Sequence, residues 1–361
     1  VSGCNRKKRK KMALWVDKQR PTTLAALSYH KEQAAALTEL VHRDDFPHLL
    51  IYGPSGAGKK TRVAALLHEL YGAGVHHQKL ETRQFTAPSG RKLELQTVSS
   101  NYHIELTPGD VGVFDRVVVQ DVVKQMAQTS QIDSATQRVF KVVVLHEMDA
   151  LSRDAQHALR RTMEKYSGNC RLILVSNTLS RVIEPLRSRC MAIRVPAPTD
   201  AEIRNIVSSL YYKESGGHSL PESAMRDLLS KSHGNLRRAL LMLEAAHARH
   251  APITENDKMP SPEWEVYLRE TAEIVLKRQS ADTLLTVRNR LYELLSRCIP
   301  ASVIFTELVD CLLPRCPPSI RCDVLEEAAE YEHRLTRGQK AIFHLEAFIA
   351  AFMFIYQKEQ K

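Results

Sequence analysis

The chain has 361 residues, of which 43% are hydrophobic and 25% charged, as is typical of a soluble globular protein with two or three domains. Its net charge of +10 falls to +4 without the run RKKRKK, because the rest of the chain holds 45 basic and 41 acidic side chains. This balance excludes a strong positive field over the whole folded part, so contact with a polyanion would need a local basic patch.

The basic run lies in a leader at residues 1–11 that contains no acidic side chain. We interpret the leader either as a nuclear-localisation or polyanion-binding tail or as a non-native, disordered extension, because Met12 opens a segment typical of a natural start. The seven cysteines lack the C-x-x-C pattern, and no secretory leader is evident. We therefore expect a reducing intracellular compartment and predict no protein metal site.

The segment GPSGAGKKT at residues 53–61 matches the phosphate-binding pattern G-x-x-x-x-G-K-[ST] except at the last position, where Lys60 replaces the hydroxyl. In such loops the backbone N–H groups cradle phosphates, Lys59 would reach the outer ones, and the hydroxyl would bind Mg²⁺. The run HLLIYG before the loop predicts a strand, and the apolar spacing after it predicts a helix. This context disfavours an accidental match, and either Thr61 replaces the hydroxyl or the site has lost hydrolytic function.

A second strand, KVVVLHEMD at residues 141–149, ends in His146-Glu147 where nucleotide sites usually carry Asp-Glu. Glu147 would orient the attacking water, whereas an imidazole replaces the carboxylate that would bind the metal. Two altered metal contacts in one site favour a protein that binds nucleotide but hydrolyses it poorly. The alternative is that Thr61 and Asp149 compensate.

Strand and helix patterns continue to alternate beyond the phosphate loop. DAQHALRRTMEKYSG has a helical apolar stripe and RLILVSN is typical of a buried strand, which predicts a parallel α/β sheet. ETRQFTA and KLELQTV flank a Ser-Gly turn and predict a hairpin. The later chain has helical patterns, and its apolar stretch at residues 347–356 is shorter than the ~20 residues that span a bilayer. We predict that this stretch is a buried or partner-facing helix.

These patterns divide the chain into four regions. The predicted regions are the basic leader at 1–11, an α/β nucleotide-binding domain at 12–197, a small helical domain at 198–250 and a C-terminal helical domain at 251–361. The segment VPAP at 195–198 marks the first boundary within the folded part, because proline interrupts regular elements. A Pro-rich linker, APITENDKMPSPE, opens the last region.

Seven segments occur in one order along the chain: LWVDKQRP, GPSGAGKKT, VVVLHEMD, DAQHALRRTMEKY, LILVSN, SRC and GNLRRAL. In this order they resemble the AAA+ clamp-loader ATPases, most closely the small subunits of replication factor C. The resemblance implies an AAA+ P-loop parallel sheet, a helical lid and a C-terminal all-helical collar. Lys60 with His146, and the segments WEVYLRETA and YEHRL, resemble the third small-subunit type, which stands at the end of the pentamer and is thought not to drive hydrolysis itself.

The resemblance also implies which residues hold the nucleotide, ATP or ADP, with Mg²⁺ left open because its protein ligands are altered. The implied residues are Val16, Arg20, Gly53, Pro54, Ser55, Gly56, Ala57, Gly58, Lys59, Lys60, Thr61, Asn177 and Arg237. Val16 and Arg20 would close over the adenine, and Asn177 would sense the γ-phosphate. Arg237 would be the sensor arginine of the lid, with Arg238 as its competitor.

Arg189, in the segment SRC, matches the arginine finger that clamp loaders point into a neighbouring subunit's site. Clamp loaders of this type also follow the backbone of a primed duplex, and phosphate contacts position a protein without reading sequence. Arg116, Ser152 and Arg153 stand at predicted helix starts and are the candidate DNA contacts, with helix capping and solvation as the alternative reading.

The expected function is that of a subunit of a nuclear loader that uses ATP to place a sliding clamp on primed DNA for replicative polymerases. Its expected partners are the other replication factor C subunits in a hetero-pentamer, the sliding clamp and primer-template DNA, with no membrane. Two alternatives remain open, an autonomous DNA-dependent AAA+ ATPase and a nucleotide-independent scaffold subunit.

Overall fold

A computed structural model describes residues 13–43, 45–86, 92–128, 140–255 and 257–359, so the basic leader lies outside the described residues. The chain divides into two compact units, Val1–Met259 and Pro260–Lys361. Residues 251–259 therefore belong to the first unit, whereas the sequence assigned them to the C-terminal domain. The reason is apolar burial, since Ile253 and Met259 pack among the helices that precede them.

The first unit contains a seven-stranded sheet in the order β2-β3-β4-β5-β6-β1-β7. The strands are β1 (Leu49–Tyr52), β2 (Lys79–Thr86), β3 (Lys92–Ser99), β4 (His103–Leu106), β5 (Lys141–Leu145), β6 (Cys170–Ser176) and β7 (Met191–Arg194). The strands from β4 to β7 in this order are parallel, with β5, β6 and β1 between them. β2 and β3 form an antiparallel hairpin at the edge, which confirms the hairpin prediction.

Helices cover both faces of the sheet and form the lid. They are α1 (Trp15–Lys18), α2 (Lys31–His42), α3 (Lys59–Tyr71), α4 (Asp115–Gln128), α5 (Arg153–Lys165), α6 (Glu184–Arg187), α7 (Asp200–Glu214), α8 (Glu222–Ser232) and α9 (Leu236–Arg249). Short 3₁₀ turns span Gly72–His76, Pro108–Phe114 and Met148–Ala150.

The apolar run of β5 shows why the sheet is covered on both faces. Successive side chains of a strand point to opposite faces, so Val142 and Val144 enter one buried cluster while Val143 and Leu145 enter the other. A strand that is buried on both sides is continuously apolar, as the sequence pattern of β5 predicted.

The helices α7, α8 and α9 pack around their own apolar core, which includes Ile203, Leu228 and Leu243. A reciprocal capping box between Thr199 and Glu202 starts α7 directly after the sheet domain. These three helices form the lid.

The second unit is entirely helical among its described residues. Its helices are α10 (Glu263–Lys277), α11 (Ala281–Ser296), α12 (Ala301–Leu312), α13 (Arg321–Arg337) and α14 (Ala341–Glu359), with 3₁₀ turns at Leu313–Arg315 and Pro318–Ile320. By length and composition alone α14 could cross a membrane. Its Phe348 and Phe352 are fully buried in the core of this unit, so α14 is a core helix as the sequence predicted.

One buried carboxylate joins the first turns of α4 and α5. Asp115 is only 2% exposed, and its carboxylate accepts hydrogen bonds from the backbone N–H of Ser152 at 2.7 Å and from the Ser152 hydroxyl at 2.9 Å. The same hydroxyl caps α5 by accepting from the N–H of Ala155. The two helix N-termini are therefore held side by side.

We expect Asp115→Ala to lower the free energy of unfolding by about 2–3 kcal/mol, because it removes the charge-assisted hydrogen bonds that this buried carboxylate accepts from Ser152. Asp154→Ala is the matched control, since this exposed aspartate in the first turn of α5 should contribute only ~0.3–1 kcal/mol through the helix dipole. Urea denaturation midpoints measure both effects, and equal shifts in the two variants would contradict the bridging role of Asp115.

Candidate nucleotide-binding site

The predicted phosphate loop connects β1 to α3 and is approached closely by two side chains. Gly56 has a φ of +76°, and a Cβ atom there would lie 1.8 Å from Asn235 Oδ1 of the lid. Gly58 has a φ of +84°, and a Cβ atom there would lie 2.1 Å from the Tyr29 hydroxyl, which itself donates to the Ala57 carbonyl at 2.8 Å. Only glycine allows both the left-handed conformation and these contacts.

Lys59 opens α3 and is only 8% exposed. Its ammonium donates to the Gly53 carbonyl at 2.6 Å, the Pro54 carbonyl at 2.8 Å and Asn177 Oδ1 at 2.9 Å. A buried ammonium has three donors, and here each finds an oxygen acceptor. The loop and the end of β6 therefore hold Lys59 in place.

The pKa of Lys59 is lowered by burial and by two neighbouring cations, and one carboxylate opposes them. Burial is the largest influence and lowers its pKa, Asp149 acts in the opposite direction, and Arg237 and Lys60 lower the pKa further. Burial and neighbouring cations both disfavour the charged form, so an incoming anion would relieve both.

Hydrogen bonds to Asp149 position the end of β6. Its carboxylate accepts from the backbone N–H of Asn177 at 3.1 Å, from Asn177 Nδ2 at 3.4 Å and from the Ser176 hydroxyl at 3.3 Å. Asp149 does not line either of the cavities described below, so it orients Asn177 from the side away from them.

Two adjoining cavities lie between the sheet domain and the lid. The larger has a volume of about 360 Å³ and the smaller, here called the phosphate cavity, about 110 Å³. Both are bordered by Gly56, Gly58, Thr61 and Arg237, so they meet at the phosphate loop. The larger is within the size range of ligand pockets and has an apolar wall from Leu210, Leu236 and Leu240, which suits a base.

The structure brings most of the predicted nucleotide residues together around these cavities. Val16 and Arg20 line the larger cavity, and Ser55, Lys59, Lys60, Glu147 and Asn177 line the phosphate cavity. Gly53, Pro54 and Ala57 line neither and instead offer backbone carbonyls to Lys59 and Tyr29. Arg237 borders both cavities, whereas Arg238 borders neither, which favours Arg237 as the lid arginine.

Sequence reasoning missed several residues of this site. Tyr29 and Asn235 lie against the glycines of the loop. Trp15 connects α1 to the lid, because its backbone N–H donates a hydrogen bond to Glu244 at 3.1 Å. Trp15 also packs on the His247 ring with the centroids 5.0 Å apart. No local pattern marks such contacts, because their partners are far apart in the chain.

His146, at the position where a metal-binding carboxylate was expected, is 5% exposed and pairs with Glu105 of the adjacent strand β4. His146 Nε2 lies 3.0 Å from Glu105 Oε2, and His103 Nε2 lies 3.5 Å from Glu105 Oε1. Burial on its own would raise the pKa of Glu105, but hydrogen bonds from His103 and His146 outweigh it and lower the pKa to about 2. An ionised carboxylate only accepts, so Nε2 of His146 carries the hydrogen.

Glu147 lies at the edge of the phosphate cavity in an uncommon backbone conformation. Its φ of 56° and ψ of 47° are left-handed. For a residue with a side chain this conformation costs about 1 kcal/mol or more, and such strain occurs at functional sites. Glu147 is exposed and is one of the residues that line the phosphate cavity.

Arg189 lies on the surface just after α6 and lines neither cavity of its own chain. Its Nε donates to Glu164 at 2.7 Å and its Nη1 to the Pro185 carbonyl at 2.8 Å. The hydrogen bond from Arg189 lowers the pKa of Glu164. The guanidinium is thus presented outward, away from the site that its own chain forms.

The three candidate DNA contacts lie together. Arg116 follows Asp115 at the start of α4, and Ser152 and Arg153 start α5, so the Asp115 bridge brings all three exposed side chains to one place. Both helices point their N-termini here, where the positive ends of their dipoles favour an anion.

Comparisons with known proteins identify the family of this chain. The family model for the replication factor C subunit 3 C-terminal domain matches residues 264–360, that for the DNA polymerase III delta subunit matches 29–199, and that for the RCF1/5-like AAA+ ATPase lid domain matches 218–248. Replication factor C subunit 3 of Mus musculus is 54% identical, with 96% of this chain and 97% of that protein aligned. The chain belongs to the replication factor C family.

Other members of the replication factor C family align over similar lengths. Replication factor C subunit 3 of Homo sapiens is 53% identical over 96% of this chain and 97% of its own length. Replication factor C subunit 5 of Neurospora crassa is 49% identical over 96% of this chain and 98% of its own length. The expected AAA+ sheet domain, lid and C-terminal replication factor C domain are therefore all present, and the AAA+ ATPase family implies nucleotide binding.

The Glu105 network should make stability depend on pH in an acidic window. Because the folded-state pKa of about 2 lies below the usual 4.5, the ionised carboxylate stabilises the fold above pH 4.5 and loses this effect as the pH falls towards 2. Glu105→Gln should lower the free energy of unfolding by about 2–3 kcal/mol near neutral pH, with the difference from the unmodified chain vanishing towards pH ~2.

Urea denaturation of both chains at a series of pH values measures this difference. Glu94→Gln is the control, because Glu94 is exposed on β3 and should change stability little at any pH. A Glu105→Gln difference that stayed constant across the acidic window would contradict the ionised network.

Proposed function

We propose that this chain is a nucleotide-binding subunit of a replication factor C clamp loader that hydrolyses poorly at its own site and donates Arg189 to a neighbouring site. The observation that carries the proposal is the pair of adjoining cavities. Lys59, Asn177 and Arg237 surround the phosphate end as a nucleotide site needs, while Lys60 and His146 occupy the two positions of the metal contacts. The phosphate-binding groups and Glu147 are retained, whereas the two metal-contact groups are altered.

The proposed assembly is a hetero-pentamer with the other replication factor C subunits. It would open a sliding clamp and place it on primer-template DNA for replicative polymerases. We infer a nuclear location and no membrane partner, because the relatives are named as replication factor C subunits and DNA replication in eukaryotes is nuclear. ATP or ADP is the proposed ligand of this chain's own site.

The residues of this chain would act on the nucleotide through position and charge. The loop N–H groups and Lys59 would hold the phosphates, Asn177 would report the outermost one, and Arg237 would couple it to the lid. Arg189 would stabilise charge on the phosphoryl group in a neighbouring subunit's site. Mg²⁺, when bound in an ordinary site of this class, neutralises charge between the outer phosphates.

Two rival functions make different demands on the site. An autonomous ATPase would need an oxygen ligand where His146 is held by Glu105. A scaffold subunit that does not bind nucleotide would not need three acceptors that hold the Lys59 ammonium in position beside a cavity. Nucleotide found by mass spectrometry in the purified protein would argue against the scaffold.

The sharpest test compares two variants in the assembled complex. Loss of a finger supplied in trans can cost ~10³–10⁵ in rate where chemistry limits. Arg189→Ala should therefore lower DNA- and clamp-stimulated ATP hydrolysis by the complex. The expected decrease in the total rate is the part that the neighbouring site contributes. Lys59→Ala should lower hydrolysis less, because little turnover occurs at its own site.

Glu164→Gln is the matched control for Arg189, since it removes the ion pair but leaves the guanidinium. It should retain hydrolysis, which separates loss of the pair from loss of the finger. All variants are compared at saturating ATP after assembly is verified. Normal ATPase in Arg189→Ala, or a larger loss in Lys59→Ala, would contradict the finger-donor proposal.

DNA binding by the complex should be independent of sequence and should weaken steeply with salt. Each phosphate contact with duplex DNA contributes about −0.9 to the slope of log affinity against log salt concentration. Arg116→Ala and Arg153→Ala should each flatten the slope by about one unit. Arg226→Ala, on the exposed side of the lid helix α8, should leave it unchanged. Unchanged slopes in both test variants would remove these residues from the interface.

A further inference from the structure

The phosphate cavity is lined by more cationic than acidic side chains, and one of the cations, Lys60, stands where a metal-dependent site supplies a hydroxyl ligand. Three of its lining residues carry positive charge, Lys59, Lys60 and Arg237, against one carboxylate, Glu147. A divalent cation is attracted to oxygen-rich, negatively charged sites, and each protein cation in the cavity opposes its entry.

The two positions expected to ligate Mg²⁺ do not fit it. Lys60 has an ammonium in place of the hydroxyl that would bind the metal. His146 offers ring nitrogen where Mg²⁺ prefers oxygen, and its Nε2–H is directed to Glu105 at 3.0 Å. The Glu105 carboxylate, in turn, pairs with two histidines and is not directed towards the cavity.

The two groups that the sequence suggested as substitutes do not replace these ligands. Asp149 accepts hydrogen bonds from Asn177 and Ser176 and does not line the cavity. Thr61 does line it, but a neutral hydroxyl beside Lys59 and Lys60 is a weak site for a dication. Glu147 is the one carboxylate of the lining, and three cations oppose its attraction for a metal ion.

We infer that this site binds nucleoside di- or triphosphate without a divalent metal, with Lys59, Lys60 and Arg237 neutralising the phosphate charge that Mg²⁺ would otherwise neutralise. The inference rests on the proposed nucleotide binding and deepens it. It also identifies Lys60 as a phosphate ligand in its own right. Excess Mg²⁺ then competes with the protein for free nucleotide.

Calorimetric titration of the purified full-length chain with ADP tests this, once with excess EDTA and once with excess MgCl₂. The dissociation constant in EDTA should be no more than about threefold weaker than in Mg²⁺, a difference below ~0.7 kcal/mol. Greater weakening in EDTA overturns the metal-free site and leaves the proposed nucleotide binding intact. Absence of ADP binding in both solutions overturns the metal-free site together with the nucleotide-binding part of the proposed function.

Single substitutions identify the side chains responsible for ADP binding without metal. Lys60→Ser should weaken ADP binding in EDTA about tenfold, since it removes one cation beside the phosphates. Lys165→Ser is the matched control, because it makes the same charge change at an exposed position of α5 outside both cavities and should not alter binding. Equal affinities for Lys60→Ser and Lys165→Ser would remove Lys60 from the proposal.

A gain of metal dependence provides the converse test. Lys60→Ser combined with His146→Asp and Glu105→Gln supplies a hydroxyl and a carboxylate, while the glutamine avoids two facing acids. ADP binding by this variant should become tighter in Mg²⁺ than in EDTA by about tenfold. Circular dichroism checks that the variant is folded. A folded variant with no gain in metal dependence would show that these positions do not decide it, which overturns the proposed cause.

Discussion

The site depends on one constraint, that the buried ammonium of Lys59 needs an oxygen acceptor for every hydrogen. Two acceptors are carbonyls of the loop after β1, and the third is Asn177 at the end of β6. An unpaired buried charge would cost several kcal/mol, so the loop conformation and the alignment of β1 with β6 are tied to this cation. The parallel pairing of β1 with β6 supplies that alignment. Asp149 then fixes Asn177 from the other side.

His146, at the position expected to bind a metal, is held by a different set of contacts. β4 and β5 are neighbours in the sheet, so the buried His146 meets the half-buried Glu105 at their ends. The partly desolvated carboxylate is stabilised because two imidazoles lie within ion-pair distance of it. Glu105 is paired with these histidines and does not line the phosphate cavity. The contacts of Lys59 and those of His146 are therefore separate networks beside one cavity.

The remaining functional candidates occupy other surfaces of the first unit. Asp115 joins two helix N-termini and so presents Arg116 and Arg153 together, although Asp115 itself is buried. Arg189 is exposed and tied only to surface groups, so it can exchange Glu164 for a charged group of another molecule at little cost. In both places a carboxylate of this chain holds cationic side chains in position at the surface.

Features that depend on local pattern could be predicted from the amino-acid sequence. The glycine loop, the apolar run of β5 and the edge hairpin were predictable, because φ preference and side-chain periodicity act over a few residues. Substitution of Lys60 and His146 was also visible, since each stands in a recognisable motif.

Contacts between residues that are far apart in the chain became evident only in the folded protein. Glu105 with His146, Asp115 with Ser152, and Asn235 against Gly56 join residues from separate elements, and no short-range preference encodes such pairs. The choice of Arg237 over Arg238 likewise follows from which side of α9 borders the cavities. Hydrogen-bond satisfaction and burial operate through space, and the chain order does not reveal them.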